Sequence, residues 1–328
     1  MKICIFGAGV IGGILASACA RAGHEVSLVA RGQHLEAILE SGLVLATATE
    51  RRVHKLAASA NPADLGVQDF VIVCTKTPAL PEVAAKIGPL LGPETQVAFS
   101  VNGIFWFYGD GFAPGGQQLA MERLDPGGAL RKAVGPDRAM GLVAWAGGEI
   151  REPGVVTARA DGKFVLGHAL PSKAAVSEQL VASLALKDWT VEHAPEVRVP
   201  MWTKFLNIAG NFATSALTGA TIAQVQADPA ALEVSLALQG EAHALARAHG
   251  FQQIPFNPDA IRANPSKNQH KPSMLQDLER GRPMEIESAY LITQDLARQA
   301  GVPMPVHDVV VPMLKMRARI AGCFDPAG

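Results

Sequence analysis

The sequence predicts an α/β domain over residues 1–194, followed by an all-α domain over residues 195–328. Three observations support this division. A strand, a glycine-rich turn, a helix and a second strand follow one another between Lys2 and Arg31. Short apolar or β-prone segments bounded by polar, glycine or proline residues continue through the first domain. The second domain instead contains longer segments with helical apolar spacing.

The glycine-rich turn has the spacing of a dinucleotide-binding fingerprint. Gly7, Gly9 and Gly12 follow an apolar run that suits a strand buried on both faces of a parallel sheet. The first glycine permits the tight turn, the second lets the backbone approach a pyrophosphate, and the third allows close packing of helix on strand. The phosphates would rest on N–H groups of the following helix. We therefore predict a Rossmann-type domain, whose cofactor-binding turn comprises Gly7, Ala8, Gly9, Val10, Ile11 and Gly12.

The tip of the second predicted strand indicates which dinucleotide binds. NAD-binding versions of this unit carry an acidic residue there for the ribose hydroxyls, whereas a basic residue accommodates the 2′-phosphate of NADP. Here the strand Glu25–Val29 leads to Arg31, and the first acid comes only at Glu36. Arg31 therefore predicts NADP(H) as the cofactor. The alternative is a surface arginine without this role.

Composition excludes several classes of function. Lys plus Arg number 29 and Asp plus Glu number 30, so the net charge of −1 gives no electrostatic case for nucleic acid or an acidic membrane surface. The four cysteines have no CxxC spacing and the nine histidines no HExxH pair, so neither a disulfide framework nor a metal site is predicted. Cysteines in apolar segments are typical of a reducing compartment and favour the cytoplasm.

The apolar first stretch raises the alternative of export. Residues 3–20 carry no charge and end in small residues, as a signal peptide does, but their four glycines and the single preceding Lys2 argue against it. No later segment offers about 20 uncharged apolar residues. We therefore expect no membrane partner. A homodimer is left open, because the sequence does not fix the oligomeric state.

Two further strands are predicted to end next to polar residues. Asp69–Cys74 leads to Lys76, and Gln96–Val101 ends at Asn102. Ligands of open α/β sheets bind at the carboxyl ends of strands, so both side chains are placed to face a cofactor or substrate. The alternatives are a lysine in a solvent loop and an ordinary Asn-Gly turn.

The predicted fold also includes further strands in the first domain and four helices in the second domain. Leu43–Thr47 and Arg52–Leu56 predict a hairpin inserted into the sheet. Segments at 140–145, 155–159 and 164–166 predict an antiparallel extension of the same sheet. The helices predicted in the second domain cover Leu206–Leu217, Ala230–His249, Glu285–Ala300 and His307–Ile320.

Lys204 lies in the segment WTKFLNIAGN, where one cation and two amides share a helical face. At about 100° per residue, Asn207 and Asn211 follow Lys204 along an otherwise apolar helix of small residues. A desolvated ammonium group beside amides is suited to protonate and hold a carbonyl oxygen as hydride arrives. The alternative is a polar stripe that faces solvent.

A second polar segment, from Ser273 to Glu285, is also a candidate site, although its residues leave other interpretations open. Its charges could cover a surface helix. Ser273 and Gln276 stand at capping-box spacing, so Ser273 could simply begin that helix.

Together, six motifs resemble the ketopantoate reductase (2-dehydropantoate 2-reductase) family over nearly the whole chain. The resemblance implies a Rossmann domain, a helical domain and a substrate between them. It also implies that NADPH gives hydride to the keto carbon of 2-dehydropantoate, which yields pantoate, a precursor of pantothenate and coenzyme A. The motifs are GAGVIG at Gly7–Gly12, TK at Lys76, VNG at Asn102, WTKF at Lys204, ALTGAT at Ala216–Thr221 and SMLQDLERGRPMEIE from Ser273.

The resemblance further implies the roles of individual residues. Lys204 matches the general acid, and Glu285 matches the acid that lies near the cofactor and supports catalysis. Ser273 matches a residue that binds the substrate carboxylate. Asn102 matches the asparagine between cofactor and substrate, and Lys76 matches a lysine that contacts the cofactor. The family's preference for NADP agrees with the basic residue after the second strand.

One departure from the family concerns the amides after the lysine. The family usually places asparagines four and eight residues after it, where this chain has Ile208 and Phe212. Asn207 and Asn211 are each turned by about 100° on a helical wheel, so another branched 2-oxo acid is an alternative substrate. The aromatic, glycine-rich segment 104–128 could also reshape the pocket. A regulatory protein that binds NADP(H) without turnover is a further alternative, although a sensor has no need for a buried acid and base.

Overall fold

The computed structural model describes residues 1–159 and 162–324, which form two compact units. The α/β unit comprises Met1–Val101 and Asp125–Pro200. The helical unit comprises Asn102–Leu124 and the chain from Met201 onward. The predicted order of an α/β domain and then an all-α domain is confirmed, since every described strand belongs to the α/β unit. The assignment of cofactor and substrate binding to separate domains stays a prediction.

The described part of the α/β unit contains twelve strands in two sheets. The larger sheet has eight strands, and its central members are buried apolar runs, as expected for a sheet covered on both faces. The strands are β1 (Lys2–Phe6), β2 (Glu25–Val29), β3 (Leu43–Ala46), β4 (Arg51–His54), β5 (Ala57–Ser59), β6 (Gln68–Val73), β7 (Leu91–Phe99), β8 (Ala139–Trp145), β9 (Gly148–Glu152), β10 (Val155–Ala158), β11 (Lys163–His168) and β12 (Thr190–His193).

The strand order of the larger sheet is β12-β11-β8-β7-β6-β1-β2-β5. Neighbours pair in parallel, except that β8 and β11 are antiparallel. The carboxyl ends of β1, β2, β6 and β7 therefore meet at one edge. The glycine turn, Arg31 and Lys76, which the sequence singled out, follow β1, β2 and β6.

The predicted hairpin forms, but its predicted position in the main sheet is wrong. β3 and β4 are antiparallel and belong to a separate four-stranded sheet of order β4-β3-β10-β9. The predicted extension is therefore also only partly correct, because β8 and β11 join the main sheet whereas β10 does not. The reason is packing: a side chain on Gly13 would overlap Val156, so a glycine lets this small sheet approach the first helix closely.

The helices are named in chain order across both units. They are α1 (Val10–Arg21), α2 (Gly32–Ser41), α3 (Leu80–Lys86), α4 (Ala129–Ala133), α5 (Ala174–Leu184), α6 (Arg198–Thr218), α7 (Ile222–Ala227), α8 (Pro229–Ala248), α9 (Pro258–Ala263), α10 (Ser273–Glu279), α11 (Ile292–Ala300) and α12 (Pro305–Ile320). A π-helical turn, Glu287–Leu291, precedes α11, where the sequence predicts an uninterrupted helix.

The aromatic segment after Asn102 lies in the core of the helical unit. Residues 104–108 are at most 2% exposed, whereas the sequence suggests that the segment 104–128 reshapes the pocket. Phe105 stacks on Phe107 with ring centroids 4.9 Å apart, and Tyr108 meets Trp202 edge-on. These side chains therefore act as packing, which their composition alone does not distinguish from a binding surface.

Within residues 1–159 and 162–324, no helix has the length and apolar character needed to cross a membrane. In the same part of the chain, no group of three or more His, Cys, Asp or Glu side chains is arranged to hold a metal ion. The four cysteines, Cys4, Cys19, Cys74 and Cys323, are free thiols.

Candidate active site

The glycine turn between β1 and α1 has the backbone geometry that a dinucleotide site requires. Gly7 has a φ of +106°, and a side chain there would contact Thr75. A side chain on Gly12 would overlap the carbonyl oxygen of Gly7, so this glycine is needed for close packing. Gly9 is the N-cap residue of α1, and the space beside its Cα is open. The turn can therefore receive a phosphate group at the N-terminus of a twelve-residue helix.

His34 holds the glycine turn in place through two hydrogen bonds of its imidazole ring. The sequence around His34 gives no indication of this role. The backbone N–H of Gly154 donates to His34 Nδ1 over 2.9 Å, so Nε2 carries the proton. Nε2 in turn donates to the carbonyl oxygen of Ala8 over 2.8 Å. The imidazole thus connects the glycine turn to the loop between β9 and β10.

Arg31 lies at the carboxyl end of β2, as predicted, and is the N-cap residue of α2. Its guanidinium group is 78% exposed and contacts Glu82 of α3, with Nη1 3.1 Å from Oε2. Lys86 Nζ lies 2.8 Å from the other carboxylate oxygen of Glu82, and these two cations hold the pKa of Glu82 below its usual value. The exposed guanidinium group can turn toward an anion, with Glu82 as a competing partner.

Lys76 follows the carboxyl end of β6, the position that the sequence predicted. It is the N-cap residue of the short 3₁₀ segment Thr77–Ala79 and has extended backbone angles. Because β6 lies beside β1 in the sheet, Lys76 and the glycine turn occupy the same edge. Its contact with a cofactor stays a prediction.

In the helical unit, three residues that are far apart in the sequence lie together. Lys204 Nζ donates a hydrogen bond to Asn102 Oδ1 over 2.8 Å. Asn102 Nδ2 points to Glu285 Oε2 at 3.5 Å, the long limit of a hydrogen bond. Asn102 therefore bridges a cation and a carboxylate. Glu285 itself is only 7% exposed.

The environment of Lys204 changes its acidity. Burial lowers the pKa of Lys204 to about 8, and the negative charge of Glu285 opposes part of this shift. An ammonium group with a pKa near 8 is still mostly protonated at neutral pH and loses its proton more readily than an ordinary lysine does. It therefore matches the requirement for a general acid that works near pH 7.

Ser288 holds the backbone of Asn102 and was missed by the sequence analysis. Its hydroxyl donates to the carbonyl oxygen of Asn102 over 3.0 Å, and its own carbonyl oxygen accepts from the N–H of Ile104 over 2.9 Å. A side chain on Gly103 would overlap that carbonyl oxygen, so the turn needs a glycine with φ of +111°. Ser288 lies in the π-helical turn, where the N–H of Ile292 bonds to the carbonyl oxygen of Glu287, five residues earlier.

A buried polar chain fixes the segments that carry Asn102 and Lys204. Trp202 Nε1 donates to the Tyr108 hydroxyl over 3.0 Å, and this hydroxyl donates to His249 Nδ1 over 2.8 Å. Burial lowers the pKa of His249 to about 4, so the imidazole is neutral and Nδ1 can accept. Trp202 lies two residues before Lys204, and Tyr108 lies six residues after Asn102.

The amides predicted to contact substrate bond to each other. Asn211 Nδ2 donates to Asn207 Oδ1 over 2.5 Å, and Asn211 Oδ1 accepts from Gln226 and Ser235. Asn207 is exposed and Asn211 is buried. Ser273 begins α10, but the N-cap residue is Pro272 and no side chain caps the helix. The substrate contacts of Ser273, Asn207 and Asn211 stay predictions.

Two family models match most of the chain. The family model "Ketopantoate reductase PanE/ApbA" matches residues 3–171, and its C-terminal counterpart matches residues 196–318. The chain belongs to the ketopantoate reductase family. It is therefore an oxidoreductase.

Individual relatives and solved structures resemble the chain along nearly its whole length. A 2-dehydropantoate 2-reductase from Mesorhizobium japonicum is 35% identical over 99% of this chain and 100% of its own. The crystal structure of a PanE/ApbA family ketopantoate reductase from Ralstonia eutropha superposes with a TM-score of 0.81 at 25% identity, covering 98% and 99% of the two chains. D-mandelate dehydrogenase, solved with NADH and anilino(oxo)acetate, has the same fold, with a TM-score of 0.83 at 19% identity and coverage of 99% and 100%.

Proposed function

We propose that this chain catalyses the NADPH-dependent reduction of 2-dehydropantoate to pantoate, a step toward pantothenate and coenzyme A. The observation that carries the proposal is the Lys204–Asn102–Glu285 arrangement, with its 2.8 Å hydrogen bond and a lysine pKa of about 8. The 35% identical relative is named for this reaction, which supports the choice of substrate.

The α/β unit fits a dinucleotide. The open space beside Gly9 and the uncapped start of α1 suit a pyrophosphate. Arg31 would bind the 2′-phosphate of NADP through charge-assisted hydrogen bonds, in exchange for its contact with Glu82. Lys76 and Asn102 would contact the nicotinamide side. NADPH supplies the hydride when it is bound.

Within the helical unit, Lys204 donates the proton. Its ammonium group holds the keto oxygen of the substrate and gives it a proton as negative charge develops there. Asn102 accepts from the same ammonium group and keeps its remaining protons directed at the substrate. Glu285 favours the charged form of Lys204 and so keeps the acid protonated before each turnover. Ser273, Asn207 and Asn211 would orient the carboxylate and the rest of the acid.

A second candidate is the reduction of another branched 2-oxo acid. The observation that favours it is the Asn207–Asn211 hydrogen bond, because these amides already satisfy one another. A panel of 2-oxo acids compared by kcat/KM distinguishes the two candidates. A preference of about tenfold or more for another acid would replace 2-dehydropantoate as the substrate.

The decisive experiment follows NADPH absorbance with 2-dehydropantoate. Lys204→Met should lower kcat by about 10²- to 10⁴-fold, which is the usual contribution of a positioned acid. Lys132→Met, at an exposed lysine of α4, is the matched control and should leave kcat unchanged. Absence of turnover in the wild type, or full activity of Lys204→Met, would contradict the proposal. Arg31→Ala should weaken NADPH binding far more than NADH binding, and equal losses would remove the phosphate role.

The proposal extends to location and assembly. The free thiols, three of them buried, suit the reducing cytoplasm. A homodimer is the proposed assembly, supported by exposed apolar residues on the last helix.

A further inference from the structure

The side-chain amide of Asn207 offers a ligand either its oxygen or its nitrogen, depending on which end its neighbours occupy. An amide oxygen accepts hydrogen bonds and an amide nitrogen donates them, so reversing the amide changes the kind of group that a ligand meets. Asn207 is exposed on α6, one helical turn after Lys204. Its Oδ1 accepts from Asn211 Nδ2 over 2.5 Å. The end left for a ligand is therefore Nδ2.

Gln226 of α7 explains why Asn211 turns its nitrogen toward Asn207. Gln226 is 8% exposed, and its Nε2 donates to Asn211 Oδ1 over 3.3 Å. Asn211 is 1% exposed, and the other end of its amide, Nδ2, is the one that meets Asn207. The direction of the Asn211 amide thus follows from the direction of the Gln226 amide.

A backbone N–H fixes the direction of the Gln226 amide. The N–H of Ser266 donates to Gln226 Oε1 over 2.7 Å. A backbone N–H can only donate, so it cannot pair with the nitrogen of a reversed Gln226 amide. Starting from Ser266, donors and acceptors alternate through Gln226, Asn211 and Asn207 in one direction. The series ends with a donor, Asn207 Nδ2, at an exposed position of α6.

Ser235, the other polar neighbour of Asn211, does not set this direction. Its Oγ lies 3.4 Å from Asn211 Oδ1, but a hydroxyl group can donate or accept, so either direction of the amide would satisfy it. Its helix, α8, comes close to α6 at Gly210, where a side chain would overlap the carbonyl oxygen and the hydroxyl group of Ser235. Close packing of the two helices keeps Asn211 buried, whereas Gln226 sets its direction.

The segment around Ser266 is attached to α7 by two more hydrogen bonds. They run from the backbone N–H groups of Ile222 and Ala223 to the carbonyl oxygens of His270 and Asn268, over 3.4 and 3.0 Å. These contacts hold the N–H of Ser266 against α7. The direction of the three amides is therefore built into the packing of the helical unit and does not depend on a bound ligand.

We propose that Gln226 is a positioning residue of the substrate site, which fixes the Asn207 amide so that Nδ2 faces the substrate. The inference rests on the proposed function, because Asn207 is a substrate contact only there. Lys204 Nζ and Asn207 Nδ2 then both donate, which suits a 2-oxo acid, since its keto and carboxylate oxygens both accept. Asn211 acts through Asn207 and does not touch the substrate itself.

The test measures binding of a 2-oxo acid by titration calorimetry in the presence of the oxidised cofactor, which has no hydride to give. The acid is the one of the panel that the wild type binds most tightly. Gln226→Leu lets the amides of Asn211 and Asn207 reverse, so about half of the molecules or fewer are competent and the Kd of the acid should rise about twofold or more. The Kd of the cofactor should be unchanged. In turnover, KM for the acid should rise without a loss of kcat.

Gln239→Leu is the matched control for this substitution. Gln239 is another buried glutamine of the helical unit, and its Nε2 donates to Ser235 Oγ over 3.3 Å. Its removal should leave the Kd values of the acid and of the cofactor unchanged, although it also takes a buried hydrogen bond from the fold. An increase in the Kd of the acid equal to that of Gln226→Leu would mean that any loss in this polar cluster weakens binding, which would contradict the proposal.

Asn211→Asp tests the direction of the amide itself. A carboxylate only accepts, so it keeps its bonds from Gln226 and Ser235 and requires Asn207 to donate. Asn207 Oδ1 then faces the substrate, and the Kd of the acid should rise about tenfold or more, because an acceptor meets a carboxylate. When Asn207→Ala is already present, neither Asn211→Asp nor Gln226→Leu should raise the Kd further.

Unchanged acid binding in Asn211→Asp would overturn the proposal. A full further loss in the presence of Asn207→Ala would also overturn it, because the variants would then act through the fold or the buried charge. The same holds for a wild type that binds no acid of the panel. A wild type that binds an acid but does not reduce it would instead contradict the proposed reaction and leave the role of Gln226 standing.

Discussion

Ser288 donates its hydroxyl hydrogen bond to the carbonyl oxygen of Asn102, the residue whose amide joins Lys204 to Glu285. The carbonyl oxygen of Ser288 also accepts a hydrogen bond from the N–H of Ile104. Ser288 therefore contacts both ends of the turn formed by residues 102–104. Ser288 belongs to the π-helical turn Glu287–Leu291. This irregular turn of helix thereby fixes the position of an amide in the proposed active site.

Removal of the Ser288 hydroxyl should therefore affect catalysis more than folding. We expect Ser288→Ala to lower kcat by about tenfold, because small displacements of a positioned group are costly, and to leave the KM for NADPH unchanged. Thr293→Val is the matched control, since this buried hydroxyl bonds to Ala289 of the same helical stretch. Steady-state kinetics and thermal unfolding of both variants check this. Similar small losses of kcat in the two would mean that the Ser288 contact only stabilises the fold.

The alkaline limb of the pH profile should depend on Glu285. A lysine that acts as the acid loses activity as the pH rises through its pKa, which is about 8. The charge of Glu285 raises this pKa, so Glu285→Gln should move the limb to lower pH. The measurement is kcat/KM between about pH 6 and 10. Glu287→Gln, which removes a neighbouring carboxylate, should leave the limb in place, and an unmoved limb in Glu285→Gln would rule out this electrostatic coupling.

Substitutions at two glycines of the cofactor turn should have different effects, one on the stability of the fold and the other on NADPH binding. Gly12→Ala forces a methyl group onto the carbonyl oxygen of Gly7, so the free energy of unfolding should fall by about 2–3 kcal/mol. Gly9→Ala places its methyl group in open space, so stability should be unchanged while NADPH binding weakens. Thermal unfolding and titration calorimetry measure the two effects. Undiminished NADPH affinity in Gly9→Ala would place the pyrophosphate elsewhere.

The buried His249 should make the protein sensitive to acid. The unfolded imidazole takes up a proton near pH 6.5, whereas the folded one stays neutral until about pH 4. Over that interval the unfolded state binds more protons, so the stability contributed by this site falls as the pH is lowered. His249→Gln keeps an acceptor for Tyr108 but does not titrate, so the melting temperature should depend less on pH than in the wild type. If the melting temperatures of the wild type and of His249→Gln changed equally with pH, the proposed contribution of His249 would be contradicted.

Elements buried on both faces were the easiest to predict. The predicted β2, Glu25–Val29, matches the observed strand, and the long helices follow the predicted spacing within a few residues at most ends. Continuous apolar runs and helical periodicity are local patterns, so they can be recognised without knowledge of the fold. The β3–β4 hairpin was recognised for the same reason, but its sheet was not, because local alternation does not specify the partner strand.

Parts of the site depend on contacts that a local pattern cannot show. Motifs indicated Lys204, Asn102 and Glu285 separately, whereas their proximity depends on residues 102 positions or more apart in the chain. The role of Ser288 has no local signature, since its hydroxyl bonds to Asn102, 186 positions earlier in the chain. The aromatic residues 104–108 show the opposite problem: their composition suits a binding surface as well as a core.

Each unit contains two of the four tryptophans, so tryptophan fluorescence can report on each unit separately. Trp145 and Trp189 belong to the α/β unit, whereas Trp106 and Trp202 are buried in the helical unit. Replacing either pair by phenylalanine would leave fluorescence from one unit alone. Denaturation of the two units could then be resolved in a single intact chain, and the emission of Trp202 would report on the segment that carries Lys204.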